Sequence, residues 1–227
     1  MLPDVCYTDD DLHGYRVALM LYDITRTIRR NTHVWPGDTA YSAAHTLRKS
    51  AGDAVNLLTL TLSAHTGSHA DAYYHYADDG DHPATMPLDA YIGRARVVTV
   101  DLQDGPLSPQ HFRHVDLTGG ERLLIHSHVS ALPDDQWPQM IPYLSVDLIA
   151  HLAALGYKLI GLDSPSVDAF DSKDLPCHHA LRRHGMVNLE HLLLRDVPDG
   201  DYELVALPLK LDAACGSPVR AILRTLS

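Results

Sequence analysis

The sequence predicts a mixed α/β (α+β) domain with a metal site on loops at strand ends. Three observations lead there. Short apolar runs of strand length outnumber helical segments, the helical segments come singly, and histidines and carboxylates gather directly after a strand-like run.

Residues 1–21 form an acidic lead-in carrying Asp4, Asp9, Asp10 and Asp11, and the domain is expected over 22–227. Leu58, Leu60 and Leu62 alternate with Thr59 and Thr61, the period of a half-buried strand that delivers the chain to His65. Gly67 weighs against a continuous helix through the next segment, because glycine weakens a helix interior. Residues 94–102 and 122–129 read as further strands. Ser145 can cap a helix running to about Leu155, with Val146, Ile149, Leu152 and Ala153 on one face and Gly156 as its stop. Residues 157–162 then read as a buried strand, and a helix near 178–184 ends at Gly185. Residues 186–194 are apolar without a period that separates strand from helix. Residues 202–211 and 218–226 close the chain as strands. In the second, Val219, Ala221 and Leu223 alternate with Arg220, Ile222 and Arg224.

At 227 residues the chain suffices for one sizeable domain, and it shows no repeat or low-complexity linker. Its 45% hydrophobic and 21% charged content is that of a soluble globular protein. No apolar run is long enough to suggest a transmembrane helix, and the acidic start lacks the build of a signal peptide, so the cytoplasm is the expected location. A formal charge of −11 disfavours nucleic acid, whose binding needs cationic side chains against phosphates, and leaves a small molecule as the expected partner. Cys6, Cys177 and Cys215 are widely spaced with no CxxC pair, so neither a disulfide framework nor a thiolate zinc site is expected. Cys177, beside His178, reads as a small buried residue before it reads as a nucleophile.

The chemistry concentrates in His65-Thr-Gly-Ser-His69-Ala-Asp71-Ala-Tyr-Tyr-His75. Imidazole and carboxylate together suit zinc, manganese or iron(II) without a thiolate. A cation so held lowers the pKa of a water toward ~7, which is hydrolase chemistry. His65 and His69 can converge on one ion, and Asp71 can add oxygen and bridge toward a second. His75 is either a further ligand or a general acid/base. Downstream, His178, His179, His184, Glu190 and His191 form a second polar group in an apolar segment. Glu190 amid Val187, Leu189 and Leu192 is costly to bury unless paired or metal-bound, though an amphipathic helix showing it to solvent fits the spacing equally. His126-Ser-His128 has the HxH of a cupin metal site but no glutamate at the short spacing required, and reads as strand residues. Asp163-Ser-Pro-Ser166 lacks the glycines of a nucleophile elbow and reads as a loop after a strand. Trp35, in the turn-rich His33-Val-Trp-Pro-Gly-Asp38, is either a rim residue stacking on an aromatic ligand or a lid packed on the core.

VWPGDT at Val34–Thr39, HTGSHADAYYHY at His65–Tyr76, PLDAYIGRARVV at Pro87–Val98, GLDSPSVD at Gly161–Asp168 and HHALRRHGMVNLEHLLL at His178–Leu194 together resemble the metal-dependent cyclase/formamidase family. YELVALPLKL and GSPVRAIL extend the resemblance to residue 226, and these C-terminal segments favour the formamidase branch. The resemblance implies a single-domain swivelling β/β/α fold assembled as a homodimer or larger homo-oligomer. It implies two zinc ions per subunit, with manganese or another divalent ion fitting the same donors. His65 and His69 would hold one ion, His178 the second, and Asp71 and Glu190 would bridge. His75 matches the family's catalytic histidine, and Trp35 the tryptophan lining the substrate pocket. The implied activity is hydrolysis of N-formyl-L-kynurenine to L-kynurenine and formate in tryptophan degradation. The alternative is a related hydrolase of a cyclic amide or lactone, isatin-type or dienelactone-type, sharing every ligand. Tyr73 and Ser68 depart from the proline and the threonine or alanine usual in the family, and bear on the pocket wall.

Overall fold

A nine-stranded sheet organises residues 19–226, the part of the chain that the computed structural model describes. In chain order the strands are β1 (Leu21–Asp23), β2 (Ser42–Leu47), β3 (Leu57–Thr61), β4 (His69–Asp71), β5 (Ile92–Thr99), β6 (Gly105–Leu107) and β7 (Arg122–His126). They continue with β8 (Pro142–Leu144), β9 (Leu159–Leu162), β10 (Val187–Glu190), β11 (Gly200–Val205), β12 (Gly216–Pro218) and β13 (Ile222–Thr225). Two α-helices accompany them among the described residues, α1 (Val146–Ala154) and α2 (Pro176–Arg183). The acidic lead-in expected over 1–21 falls outside the described residues except for its last three, where Leu21 opens β1.

The sheet order is β1-β13-β11-β5-β7-β9-β10-β4-β12. Its centre, β5 to β10, is parallel, and both flanks are antiparallel. Parallel strands are covered on both faces, which is why β7 and β9 read as unbroken apolar runs. Their side chains nevertheless alternate between two cores. Leu123, Ile125 and Ile160 pack with Leu148, Leu152 and Leu181 of the helices, while Leu124 and Leu159 face Tyr91, Leu204 and Leu223 on the other side. Ser145 caps α1, its hydroxyl accepting from the Leu148 N–H at 3.1 Å. α2 opens on Pro176, whose missing N–H costs nothing at a first helical position.

Three strand expectations change on folding, one of them that over 202–211, where β11 stops at Val205. Residues 58–62 were expected to be half-buried, but β3 (Leu57–Thr61) is exposed at all five positions. Among the described residues it pairs only with β2, in a two-stranded hairpin apart from the main sheet. The Leu/Thr alternation marks the strand correctly and says nothing of what covers it. The strand expected over 122–129 stops at His126, because the buried Asp163 carboxylate captures the Ser127 and Ser130 N–H groups at 2.8 and 3.0 Å and turns the chain into a 3₁₀ segment (His128–Ala131). The ambiguous run 186–194 resolves as β10, and 218–226 divides into β12 and β13 with Val219, Ala221 and Leu223 inward as their alternation requires. No helix of the described residues is long and apolar enough to cross a membrane.

The arrangement that positions the site is the pairing of β4 between β10 and β12. It sets Glu190 opposite His69, and Gly216 opposite Asp71.

Candidate active site

The period of a strand places His69 and Asp71 on one face of β4, and the antiparallel register brings Glu190 of β10 against the same face. Gly67, at φ +65°, turns the chain so that His65 folds back over β4. Gly216 leaves room for that ring, since a Cβ there would stand 2.9 Å from His65 Cε1. His178 arrives from the first turn of α2. That turn has no side-chain cap at Leu175; the Asp168 carboxylate instead accepts the N–H groups of Cys177 and His178 at 2.9 and 3.1 Å.

Five of the predicted residues converge. Asp71 Oδ1 lies 2.9 Å from His65 Nδ1 and 3.4 Å from His69 Nε2, while its Oδ2 lies 3.4 Å from His178 Nε2. Glu190 repeats the pattern, with Oε2 3.4 Å from His69 Nε2 and Oε1 3.6 Å from His178 Nε2. Each carboxylate therefore spans the gap between the first two histidines and the third. The far ring nitrogen of each histidine is fixed in turn. His69 Nδ1 meets the Gly67 carbonyl at 2.9 Å, His178 Nδ1 meets Asp168 Oδ2 at 2.6 Å, and His65 Nε2 meets Cys215 Sγ at 3.1 Å. Outward anchoring of this kind aims the inner nitrogen at the centre.

Asn188, two residues before Glu190 on the same strand face, donates to Asp71 Oδ2 at 2.7 Å and Glu190 Oε1 at 3.1 Å. The Val167 N–H adds a bond to Glu190 Oε1 at 3.0 Å. Asn188, Asp168 and Cys215 were not singled out as site residues from the sequence, and His191 entered only as a member of the second polar group. Of the three, Asn188 had a local signal, its two-residue offset from Glu190 along a strand.

His69, Asp71, His178 and Glu190 are buried, His65 is half-buried, and His75 is exposed in a 3₁₀ turn (Tyr73–His75). The His75 ring lies 4.1 Å from that of His65 and 5.9 Å from that of His178, centre to centre. Beside them a cavity of about 310 Å³ is walled by Val34, Trp35, Trp137, Pro165, Leu175 and His191. Trp35 is 39% exposed and meets Trp137 and Phe170 edge-on at 5.7 and 5.6 Å, so it is a rim residue of this cavity. Cys177 points away, its buried thiol donating to the Leu144 carbonyl at 3.1 Å and pushed up in pKa by burial. Cys215 is held down at about 6 by hydrogen bonds to His65 and His75.

The electrostatics favour positive charge at the centre. Burial disfavours the imidazolium of His65, yet the Asp71 and Cys215 contacts outweigh it and push the pKa up to about 9. Burial is likewise overcome at His69 by Asp71 and Glu190, and at His178 by Asp168 and Asp71, each reaching about 10. Burial alone would raise the Asp71 carboxyl, but the three imidazoles hold it well below the usual range. His191 goes the other way: burial, then the like charges of Arg26, His69 and His33, hold it well below 6.5.

These residues fit a divalent cation. Asp71 Oδ1 is buried with no aligned hydrogen-bond donor, although His65 Nδ1 is close by. Three compact donor sets are formed among the described residues: His65, His69 and Asp71; Asp71, His178 and Glu190; and, nearer the surface, His65, His75 and Cys215, which brings in a thiol that the spacing of the cysteines did not suggest. Nitrogen and carboxylate donors at this density suit zinc or manganese.

The family model described as "Putative cyclase" matches residues 22–169. The kynurenine formamidase of Salinibacter ruber is 44% identical over 207 residues, covering 91% of this chain and 98% of that protein. That of Maricaulis maris is 41% identical over 206 residues, covering 91% and 98%. Among solved structures, one described as a potential metal-dependent hydrolase with cyclase activity superposes with a TM-score of 0.79 at 24% identity, covering 92% of this chain and all of that one. Isatin hydrolase A from Labrenzia aggregata gives 0.78 at 22% identity, covering 92% and 94%. These two likenesses establish the shared fold.

The raised histidine pKa values make the cation-free fold pH-dependent. Their contribution is complete below the unfolded value near 6.5, erodes as pH rises, and is gone above about 10. The Tm of chelator-treated protein is therefore expected to fall between pH 7 and 10 by more than that of zinc-loaded protein, whose imidazoles are already deprotonated. Parallel decline of the two in differential scanning calorimetry would contradict this charge balance.

Proposed function

The chain belongs to the cyclase family, and on that footing we propose that it is a metal-dependent hydrolase that converts N-formyl-L-kynurenine to L-kynurenine and formate. The observation that carries the reading is the pair of buried carboxylates, Asp71 and Glu190, each shared between the His65–His69 side and the His178 side. Such bridging is what a two-cation hydrolytic site needs. The kynurenine formamidase relatives at 41–44% identity supply the substrate.

In this reading His65 and His69 would hold one zinc ion and His178 a second, with Asp71 and Glu190 supplying carboxylate oxygens to both. The ions, when bound, supply a Lewis acid for the formyl carbonyl and a water of lowered pKa. The remaining work falls to the chain. Trp35 and Trp137 form an apolar wall for the aryl ring, orienting the formamide toward the buried donors. Asn188 and the Val167 N–H hold the two carboxylates in place. His75, exposed at the mouth and against the His65 ring, carries a proton to the departing arylamine nitrogen.

Release of L-kynurenine by purified protein tests the substrate directly, with isatin assayed in parallel. Zinc-loaded protein is expected to deformylate rapidly and chelator-treated protein not at all. Faster turnover of isatin would move the assignment to cyclic amides. His75→Ala is expected to lower kcat by about 10²–10⁴ with zinc content intact, whereas Asp71→Asn loses zinc and rate together. Full zinc occupancy in Asp71→Asn would remove its bridging role.

The assembly proposed is a homodimer or larger homo-oligomer built on the β2–β3 hairpin. Val55, Leu57, Leu58 and Leu60 are 51, 50, 40 and 56% exposed there, a patch that marks an association surface. Light scattering should give at least twice the 25.1 kDa chain mass, and Leu58→Glu combined with Leu60→Glu should shift it toward monomer. A wild-type monomer at micromolar concentration would refute the assembly.

A further inference from the structure

His191 carries a local backbone cost and a cavity-facing ring that the mechanism above does not use. Its backbone sits at φ +57°, a left-handed conformation that a residue with a Cβ seldom adopts. The conformation is locked from both sides, the N–H donating to the Ser164 carbonyl at 2.9 Å and the carbonyl accepting from Ser68 Oγ at 2.8 Å. Its imidazole is 6% exposed, lines the cavity, and makes no hydrogen bond with any described residue; its ring contact is with the edge of Trp137, 6.3 Å between centres. Glycine would occupy this backbone without strain, so the side chain is kept at the expense of a strained residue, with its ring free of hydrogen-bond partners among the described residues and turned to the cavity. Costs of this kind gather where a ligand is bound.

The location indicates what the ring meets. His191 directly follows Glu190, whose carboxylate faces the donor cluster, and it touches Trp137, part of the wall for an aryl ring. It therefore stands between the reacting end and the ring wall. With a formamide at the cluster and its ring on Trp137, the substituent ortho to the formamide falls beside the imidazole. Resting on the formamidase reading, we propose that His191 is a specificity-determining residue whose ring N–H donates to a carbonyl oxygen on that ortho substituent. The site then selects ortho-acyl formanilides over bare formanilide.

The test is the ratio of kcat/KM for 2′-formamidoacetophenone to that for formanilide, in zinc-loaded wild type, His191→Gly and His191→Asn. The wild type is expected to prefer the ortho-acyl substrate, and His191→Gly to lower that ratio about tenfold, the worth of one hydrogen bond to a buried group. Asparagine tolerates the left-handed backbone and can donate, so His191→Asn should restore part of the preference. The Tm of His191→Gly should equal or exceed that of wild type, because the backbone strain is relieved. A merely structural role would lower both rates together, leave the ratio unchanged and depress the Tm; that result overturns the assignment while the formamidase reading stands. A wild type that hydrolyses neither formanilide nor N-formyl-L-kynurenine removes the formamidase reading, and the assignment with it.

Discussion

The register between β4 and β10 is the constraint on which the site depends. It sets His69 opposite Glu190, and the two-residue period then puts Asp71 and Asn188 on the same face. Two carboxylates buried side by side repel each other and lose their hydration, at a cost of several kcal/mol per ion without compensation. The surrounding structure supplies that compensation from several elements: imidazoles from the turn before β4 and from α2, the Asn188 amide, and the Val167 N–H. A slip of one residue between the strands would turn Glu190 to the opposite core and leave Asp71 without its neighbour. The fold is thus tied to the site through one pair of short strands.

The same dependence explains what could be read in the sequence. His65, His69, Asp71 and His75 are legible because they lie within eleven residues, so local chain geometry alone brings them together. Glu190 is not, because its apolar neighbours suit a buried strand or a buried helix equally, and only the parallel pairing of β10 with β9 decides between them. His178 and Glu190 were assigned on resemblance, and the structure places both within 4 Å of Asp71 or His69 nitrogen and oxygen atoms. Asp168 and Cys215 act through contacts spanning 10 and 150 residues, and no periodicity encodes such contacts.

The fold divides along the same line. The alternation in 218–226 translates into burial because β13 lies between β1 and β11, with Leu223 on the core face. The equally regular alternation before His65 does not, because among the described residues β3 pairs only with β2 and both its faces are exposed. Hydrophobic period reports a strand's two faces, and tertiary pairing determines what lies against them.

Burial across the site falls in an order that matches the proposed division of labour. Asp71, His69, His178 and Glu190 are nearly enclosed, which strengthens their electrostatic interactions and keeps competing water from the charges. His65 is half-buried, with one nitrogen toward Asp71 and the other toward Cys215. His75, stacked against His65, is exposed. A group that must pick up and release protons each turnover needs contact with solvent, whereas a ligand that must stay deprotonated beside a cation needs the reverse. Exchanging the surroundings of His75 and His69 would trap the proton carrier among carboxylates, where the pKa of His69 is driven to about 10, far above the range useful for transfer near neutrality. In the proposed mechanism, the depth of each imidazole below the surface, set by whether it sits on β4 or on the 3₁₀ turn after it, would separate charge holding from proton transfer in residues of the same type.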